Sequence, residues 1–247
     1  MLGTVPALRV VPPGPVRRTI FYLHGGAFVF GAPQTHAAML AQIARAAEAE
    51  AILPYFPLAP ESPFPAAVDA VRAAWNARAP EGPVIIGGDS AGGNLALGLL
   101  GGLLAEGAKP PGAAFGLSPL TDLTYSGASV RTNADRDVLL DARAADRVSA
   151  MYLPNGSDPQ DPRVSPLFAD FRGMPPVWLT VGDTEILLDD SRRIAAKMRA
   201  DGGQVTLDIQ PDLPHVWPLF HNMLPEARAT IRTLGQWIKT QTPVSES

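Results

Sequence analysis

The stretch VIIGGDSAGGNLALGLL, residues 84–100, decides how the rest of the chain is read. Val84–Gly88 is a short apolar run rich in β-branched residues, the pattern of a strand buried on both faces. From Ala91 to about Glu106 the sequence turns to Ala and Leu, a helix-forming run. Between them Gly88-Asp89-Ser90-Ala91-Gly92 fits G-x-S-x-G in the strand-to-helix context that this motif requires. Small residues on both sides permit a strained turn that lifts Ser90 Oγ above the sheet. The new helix then offers its unpaired N–H groups to an anion at the same place. A glycine turn with an N-capping serine is the plain alternative, and the flanking elements favour a nucleophile.

Working outward, elements alternate in type. Thr19–Leu23, Ala51–Tyr55, Ala113–Leu117, Val177–Val181 and Val205–Ile209 read as further strands. His36 to Ala49, Ala66–Arg78, Asp189–Ala200 and Glu226–Lys239 read as helices. Residues 119–176 are irregular apart from a helical piece near Asp141–Met151, and residues 1–18 form a Pro-rich N-terminal segment. This alternation predicts one α/β domain over 1–247, a mostly parallel central sheet with helices on both faces. Chemistry in such sheets sits at the carboxyl ends of strands.

Composition narrows the function. At 247 residues with 46% hydrophobic and 18% charged residues, the chain is long and apolar enough for a large core. It has no Cys, which excludes disulfides, Cys-based zinc sites and thiol nucleophiles. The net charge is −4 and basic residues are scattered, which argues against nucleic acid. The longest apolar run, Leu95 to Leu104, is too short for a membrane span, and no export signal is legible at the N-terminus. A cytoplasmic protein is expected.

Three more strand-end loops complete the setting of the nucleophile. His24-Gly25-Gly26-Ala27 follows the Thr19–Leu23 strand, and small residues there let backbone N–H groups approach a developing oxyanion. Gly26 and Ala27, with Ala91 after the serine, are the expected donors, while His24 is expected to hold the loop. A serine nucleophile needs a base. Of His24, His36, His215 and His221, His24 is already expected to hold its loop, and His215 lies in the loop after Val205–Ile209, bracketed by Pro211, Pro214 and Pro218. His221 reads as a packing or surface residue near the start of a helix. The orienting acid should follow Val177–Val181, where Asp183, Glu185, Asp189 and Asp190 stand. Asp189 and Asp190 are expected to cap the helix they begin. Asp183 and Glu185 remain unseparated on these grounds.

Together these residues resemble the bacterial hormone-sensitive-lipase-like carboxylesterases of the α/β-hydrolase superfamily. HGGAF (24–28) is similar to that family's HGGGF loop, with Ala27 for the third Gly. LAPESPFPAA (58–67) is similar to its LAPE-x-PFPAA segment, with Pro57 where many members carry Arg. GDSAGGNLA (88–96) is its nucleophile motif, and DPRVSPL (161–167), PPVWLTVG (175–182), LLDDS (187–191) and LPHVW (213–217) match later segments in order. In the family the acid usually stands four residues before the second Asp of D-x-L-x-D. EILLD (185–189) puts Glu185 there, with Glu for the usual Asp, 30 residues before His215. Asp183 stays the runner-up.

The resemblance implies an α/β-hydrolase fold and a serine hydrolase acting on small-molecule carboxylic esters, short-chain or aryl. Ser90, His215 and Glu185 would form the triad, with no metal or organic cofactor. Lactonase or amidase chemistry, formamidase included, would use the same triad. A non-catalytic binding module like the plant gibberellin receptors is the rival of another class, and it lacks the histidine retained here. Family members usually build part of a helical cap from residues ahead of the first oxyanion-loop strand. Only 18 Pro-rich residues precede Thr19, so a reduced or absent cap is expected, with 119–176 as a residual rim. A homodimer is left open.

Overall fold

Alternate residues of a strand point to opposite sides of a sheet, and here both sides are apolar. In the computed structural model, which describes residues 1–78 and 82–244, seven strands form one sheet. They are β1 (Ala7–Val10), β2 (Arg18–Leu23), β3 (Ala49–Pro54), β4 (Val84–Asp89), β5 (Ala113–Leu117), β6 (Val177–Gly182) and β7 (Val205–Gln210). Their spatial order is β1-β3-β2-β4-β5-β6-β7, and only β1 runs antiparallel to its neighbour. All six residues of β2 and of β4 are buried. Ile20, Tyr22, Ile85 and Phe115 face α1 (Pro33–Ala47) and α7 (Pro225–Gln241), packing on Leu40, Ile43, Leu234 and Ile238. Phe21, Leu23 and Ile86 face the other way, toward α2 (Ala66–Ala77) and α3 (Ser90–Ala105).

The predicted alternation is present, with shifted ends. The first helix starts at Pro33 rather than His36, because proline at the first turn gives up an N–H that has no helical partner anyway. The following strand begins at Ala49, where that helix was expected to end. The Pro-rich segment supplies β1, which the sequence reading missed. β1 is only four residues long and pairs with β3 from the edge, ahead of Pro12, Pro13 and Pro15.

Between β5 and β6, the chain carries α4 (Ser129–Thr132) and α5 (Ala145–Tyr152), the latter close to the expected helical piece. After β6 comes α6 (Leu188–Ala200). Asp189 and Asp190 do not cap it. Asp189 Oδ2 accepts the Ser129 N–H at 2.9 Å, and Asp190 Oδ1 accepts the N–H groups of Thr121 and Asp122 at 2.6 and 2.9 Å. Both carboxylates tie α6 to the 119–176 segment instead. Among the described residues no helix is long and apolar enough to cross a membrane.

The register aligns the carboxyl ends. Leu23 pairs with Gly88, Asp89 with Leu117, Leu117 with Thr180, and Gly182 with Gln210. The loops after β2, β4, β5, β6 and β7 therefore open on one edge of the sheet.

Candidate active site

The backbone at this edge is strained where chemistry was expected. Ser90, the first residue of α3, has φ +52°; Ala27 and Phe28 in the loop after β2 have φ +52° and +62°. Ser118, directly after β5, and Val216, directly after His215, are also left-handed, at +47° and +50°. Such conformations cost a non-glycine residue roughly 1–2 kcal/mol each, and they persist where surrounding contacts dictate them. A Cβ at Gly92 would collide with the Leu23 and His24 carbonyls, so the glycine lets α3 start against the end of β2.

The loop after β2 is held from below. Gly25 donates its N–H to Asp89 Oδ1 at 2.9 Å. His24 stacks on Phe56 at 4.4 Å between ring centroids, with Nδ1 on the Gly25 carbonyl at 2.8 Å, so it braces the loop as expected. The N–H groups of Val29 and Phe30 close back on the Gly26 carbonyl. Those of Gly26, Ala27 and Ala91 have no hydrogen-bond acceptor among the described residues.

Of the two candidate acids, Glu185 meets the histidine. Glu185 Oε2 accepts from His215 Nδ1 at 2.6 Å, and both residues are buried. Glu185 Oε1 accepts from the Gly182 N–H at 2.6 Å and from Ser118 Oγ at 2.7 Å. Asp183 points elsewhere: its Oδ1 accepts the Asp212 N–H at 2.9 Å, and Arg136 lies 3.7 Å away. Burial alone would lower the pKa of His215, but the charge and hydrogen bond of Glu185 outweigh it, so the imidazolium is favoured beyond its ordinary range. His215 Nε2 has no partner among the described residues, and Ser90 Oγ likewise makes no hydrogen bond there. His221 follows a short 3₁₀ turn, Trp217–Phe220, instead of opening a helix.

Several contributors escaped the sequence reading. Ser118 Oγ, besides donating to Glu185, accepts the Val216 N–H at 3.2 Å, so one hydroxyl braces both the acid and the histidine loop. Its signal was faint: a lone serine at the end of β5, the strand between the nucleophile and the acid. Asn133 Nδ2 donates to the carbonyls of Asp183 and Glu185, and Asp137 Oδ2 accepts the Ile186 N–H, so the irregular segment buttresses the acid loop. Asp89 accepts from Tyr22 at 2.7 Å and from His36 at 3.2 Å.

Comparison with known proteins bears on the fold and the family. Residues 20–219 match the profile of a family described by its α/β hydrolase fold. An acetyl-hydrolase of Streptomyces hygroscopicus is 39% identical, the alignment covering 91% of this chain and 76% of that one. An esterase of Acinetobacter venetianus is 36% identical over 88% and 73%. The crystal structure of an esterase from the bacterial hormone-sensitive lipase family superposes with a TM-score of 0.92 at 37% identity, covering 98% of this chain and 82% of that one. With its strand order, serine turn and buried Glu–His pair, the chain belongs to the α/β-hydrolase fold family, among the hormone-sensitive-lipase-like esterases.

Proposed function

We propose that Ser90, His215 and Glu185 carry out carboxylic-ester hydrolysis through an acyl-enzyme. The ester-cleaving activity itself agrees with relatives named esterase, acetyl-hydrolase and carboxylesterase. The observation that carries the residue assignment is the 2.6 Å Glu185–His215 bond, which occupies Nδ1 and leaves Nε2 unpaired. With Nδ1–H donating to the carboxylate, Nε2 is the basic nitrogen. It takes the Ser90 proton as Oγ attacks the ester carbonyl. The oxyanion so formed is held by the N–H groups of Gly26, Ala27 and Ala91, each donor contributing about 3–4 kcal/mol where such sites have been dissected. His215 returns the proton to the leaving alcohol. It then takes one from water as the water oxygen bonds to the acyl carbon, and passes it to Ser90 Oγ as the acyl–Oγ bond breaks and the acid leaves.

Short-chain or aryl esters are the proposed substrates. Phe30, 64% exposed just beyond the oxyanion loop, and Val138 and Leu139, beside the Asp137 that holds the acid loop, offer apolar surface in contact with solvent. A fluorophosphonate probe should label the wild type and not Ser90→Ala, and kcat for p-nitrophenyl acetate should fall about 10⁴–10⁶-fold in the variant. Across p-nitrophenyl esters from acetate to decanoate, kcat/KM should peak at short chains. Labelling that survives Ser90→Ala would remove the serine mechanism, and a steady rise through decanoate would remove the short-chain preference.

A further inference from the structure

Away from the ester site, α1 and α7 pack side by side, and a hollow of about 400 Å³ opens where the end of α1 meets the start of α7. Its lining includes Arg45, Arg228, Arg232, His221, Gln42 and Asn222, and no carboxylate among the described residues. Most other arginines among the described residues, elsewhere in the molecule, have an acid within 4.0 Å, as in the pairs Arg9–Glu50, Arg163–Asp161, Arg172–Asp170 and Arg193–Asp122. None of Arg45, Arg228 and Arg232 has an acid within 4.0 Å among the described residues. Arg228 and Arg232 stand one turn apart on the same face of α7, where like charges repel. Two of the guanidinium groups are already oriented. Arg228 Nη1 donates to the His221 carbonyl at 2.8 Å, and Arg45 Nη2 donates to Gln42 Oε1 at 2.8 Å. In a chain of net charge −4, three uncompensated arginines around one concavity form a local field of the opposite sign.

We infer that this hollow binds a phosphate-bearing small anion, a phosphomonoester or pyrophosphate group. A guanidinium offers paired N–H donors that match phosphate oxygens bidentately. The Gln42 and Asn222 amides supply uncharged donors beside them. The volume suits a small phosphorylated metabolite, being at the lower end of ordinary ligand pockets. The hollow shares no lining residue with the ester site, yet it lies behind the histidine loop, because His221 follows His215 across the 3₁₀ turn Trp217–Phe220.

The test is calorimetric titration of the whole chain with sodium pyrophosphate at constant ionic strength, using sodium chloride as the control anion. Saturable one-site binding is expected, weakened by added salt. Arg45→Gln/Arg232→Gln should weaken it about tenfold or more, and Arg45→Lys/Arg232→Lys by less, since lysine keeps charge without the fork. Unchanged p-nitrophenyl acetate hydrolysis in these variants would show that they fold. Sedimentation with phosphatidylglycerol vesicles, against phosphatidylcholine vesicles, separates a lipid headgroup from a free ligand. The proposal is overturned if pyrophosphate binding does not saturate, if the double Gln variant binds as the wild type does, or if only anionic vesicles are retained.

Discussion

Two buried carboxylate–histidine pairs stand at the ends of β4 and β6, and they differ in what the imidazole has left over. His36 is used on both nitrogens: Nε2 lies 3.2 Å from Asp89, and Nδ1 is 2.8 Å from Thr35 Oγ1. Among the described residues, His215 spends only Nδ1, on Glu185. In both pairs burial pushes the histidine pKa down, and the carboxylate more than restores it. The electrostatics are therefore alike, and on the proposed mechanism the Nε2 without a partner among the described residues marks the pair that moves a proton. Asp89 works on architecture: it fastens the Gly25 N–H, and so the proposed oxyanion loop, to the residue beside Ser90. Burial would raise the Asp89 pKa, and His36, Tyr22 and Gly25 together hold it below its ordinary value.

The largest expected effect separates the two histidines. His215→Ala should lower kcat by about 10⁴–10⁶, as loss of a triad base does. His36→Ala should lower it far less while destabilising the fold by about 3–5 kcal/mol, because it strands a buried carboxylate. Steady-state kinetics and urea unfolding on both variants decide this, and a His36 variant as inactive as the His215 variant would break the comparison. Next in size are the acids. Glu185→Gln should cost roughly 10²–10⁴ in kcat, following the pattern for triad-acid replacement. Asp183→Asn should cost much less, its carboxylate being engaged with Asp212 and Arg136. The opposite ranking would transfer the orienting role to Asp183.

How much of this was legible follows from the range of each contact. Ser90 and the proposed oxyanion loop stand out in the sequence because their motifs and the strand–turn–helix context lie within a few consecutive residues. Glu185 could be chosen over Asp183 only through resemblance. The choice depends on which side chain reaches a loop 30 residues on, and local pattern carries no such information. Asp89–His36, at a separation of 53, and Ser118–Glu185, at 67, were out of reach for the same reason. Asp189 and Asp190 looked like caps because sequence shows their position on a helix, while their partners at Ser129 and Thr121 come from another segment.

Ser118 sharpens the comparison through pH. A base must be neutral to act, so the raised His215 pKa places the acid limb of kcat/KM above the ordinary 6.5. Ser118→Ala removes a donor from Glu185 and a brace from the histidine loop. It should lower kcat by about tenfold, the scale of one hydrogen bond to a charged group, with KM nearly unchanged. Glu185→Gln should move the acid limb to lower pH, because the charge that favours the imidazolium is gone. An acid limb that stays put in Glu185→Gln would mean that this carboxylate does not set the histidine's pKa.

The smallest effect on turnover concerns a third buried carboxylate, which has no histidine. Asp190 takes its hydrogen bonds from Thr121 and Asp122 on Oδ1, and its Oδ2 has no partner among the described residues. Burial pushes its pKa up to about 7, with the charge of Asp122 adding to the rise against the backbone donors. An acid whose pKa is higher folded than unfolded holds its proton in the native state after the unfolded chain has released it. Its contribution is then greatest below the ordinary 3.8 and declines as pH climbs through about 7. The slope is about 1.4 kcal/mol for each pH unit in that window. Asp190→Asn keeps an acceptor for the two N–H groups and abolishes the ionisation. Relative to wild type, its stability should therefore improve steadily from pH 4 to about 7 and then level off, with little change in kcat. Urea midpoints across that range measure it, and a constant difference between the two proteins would show that Asp190 is ionised throughout. In that case, a buried carboxylate of this protein would not need a histidine to keep its charge, and the likeness between the other two pairs would lose its electrostatic meaning.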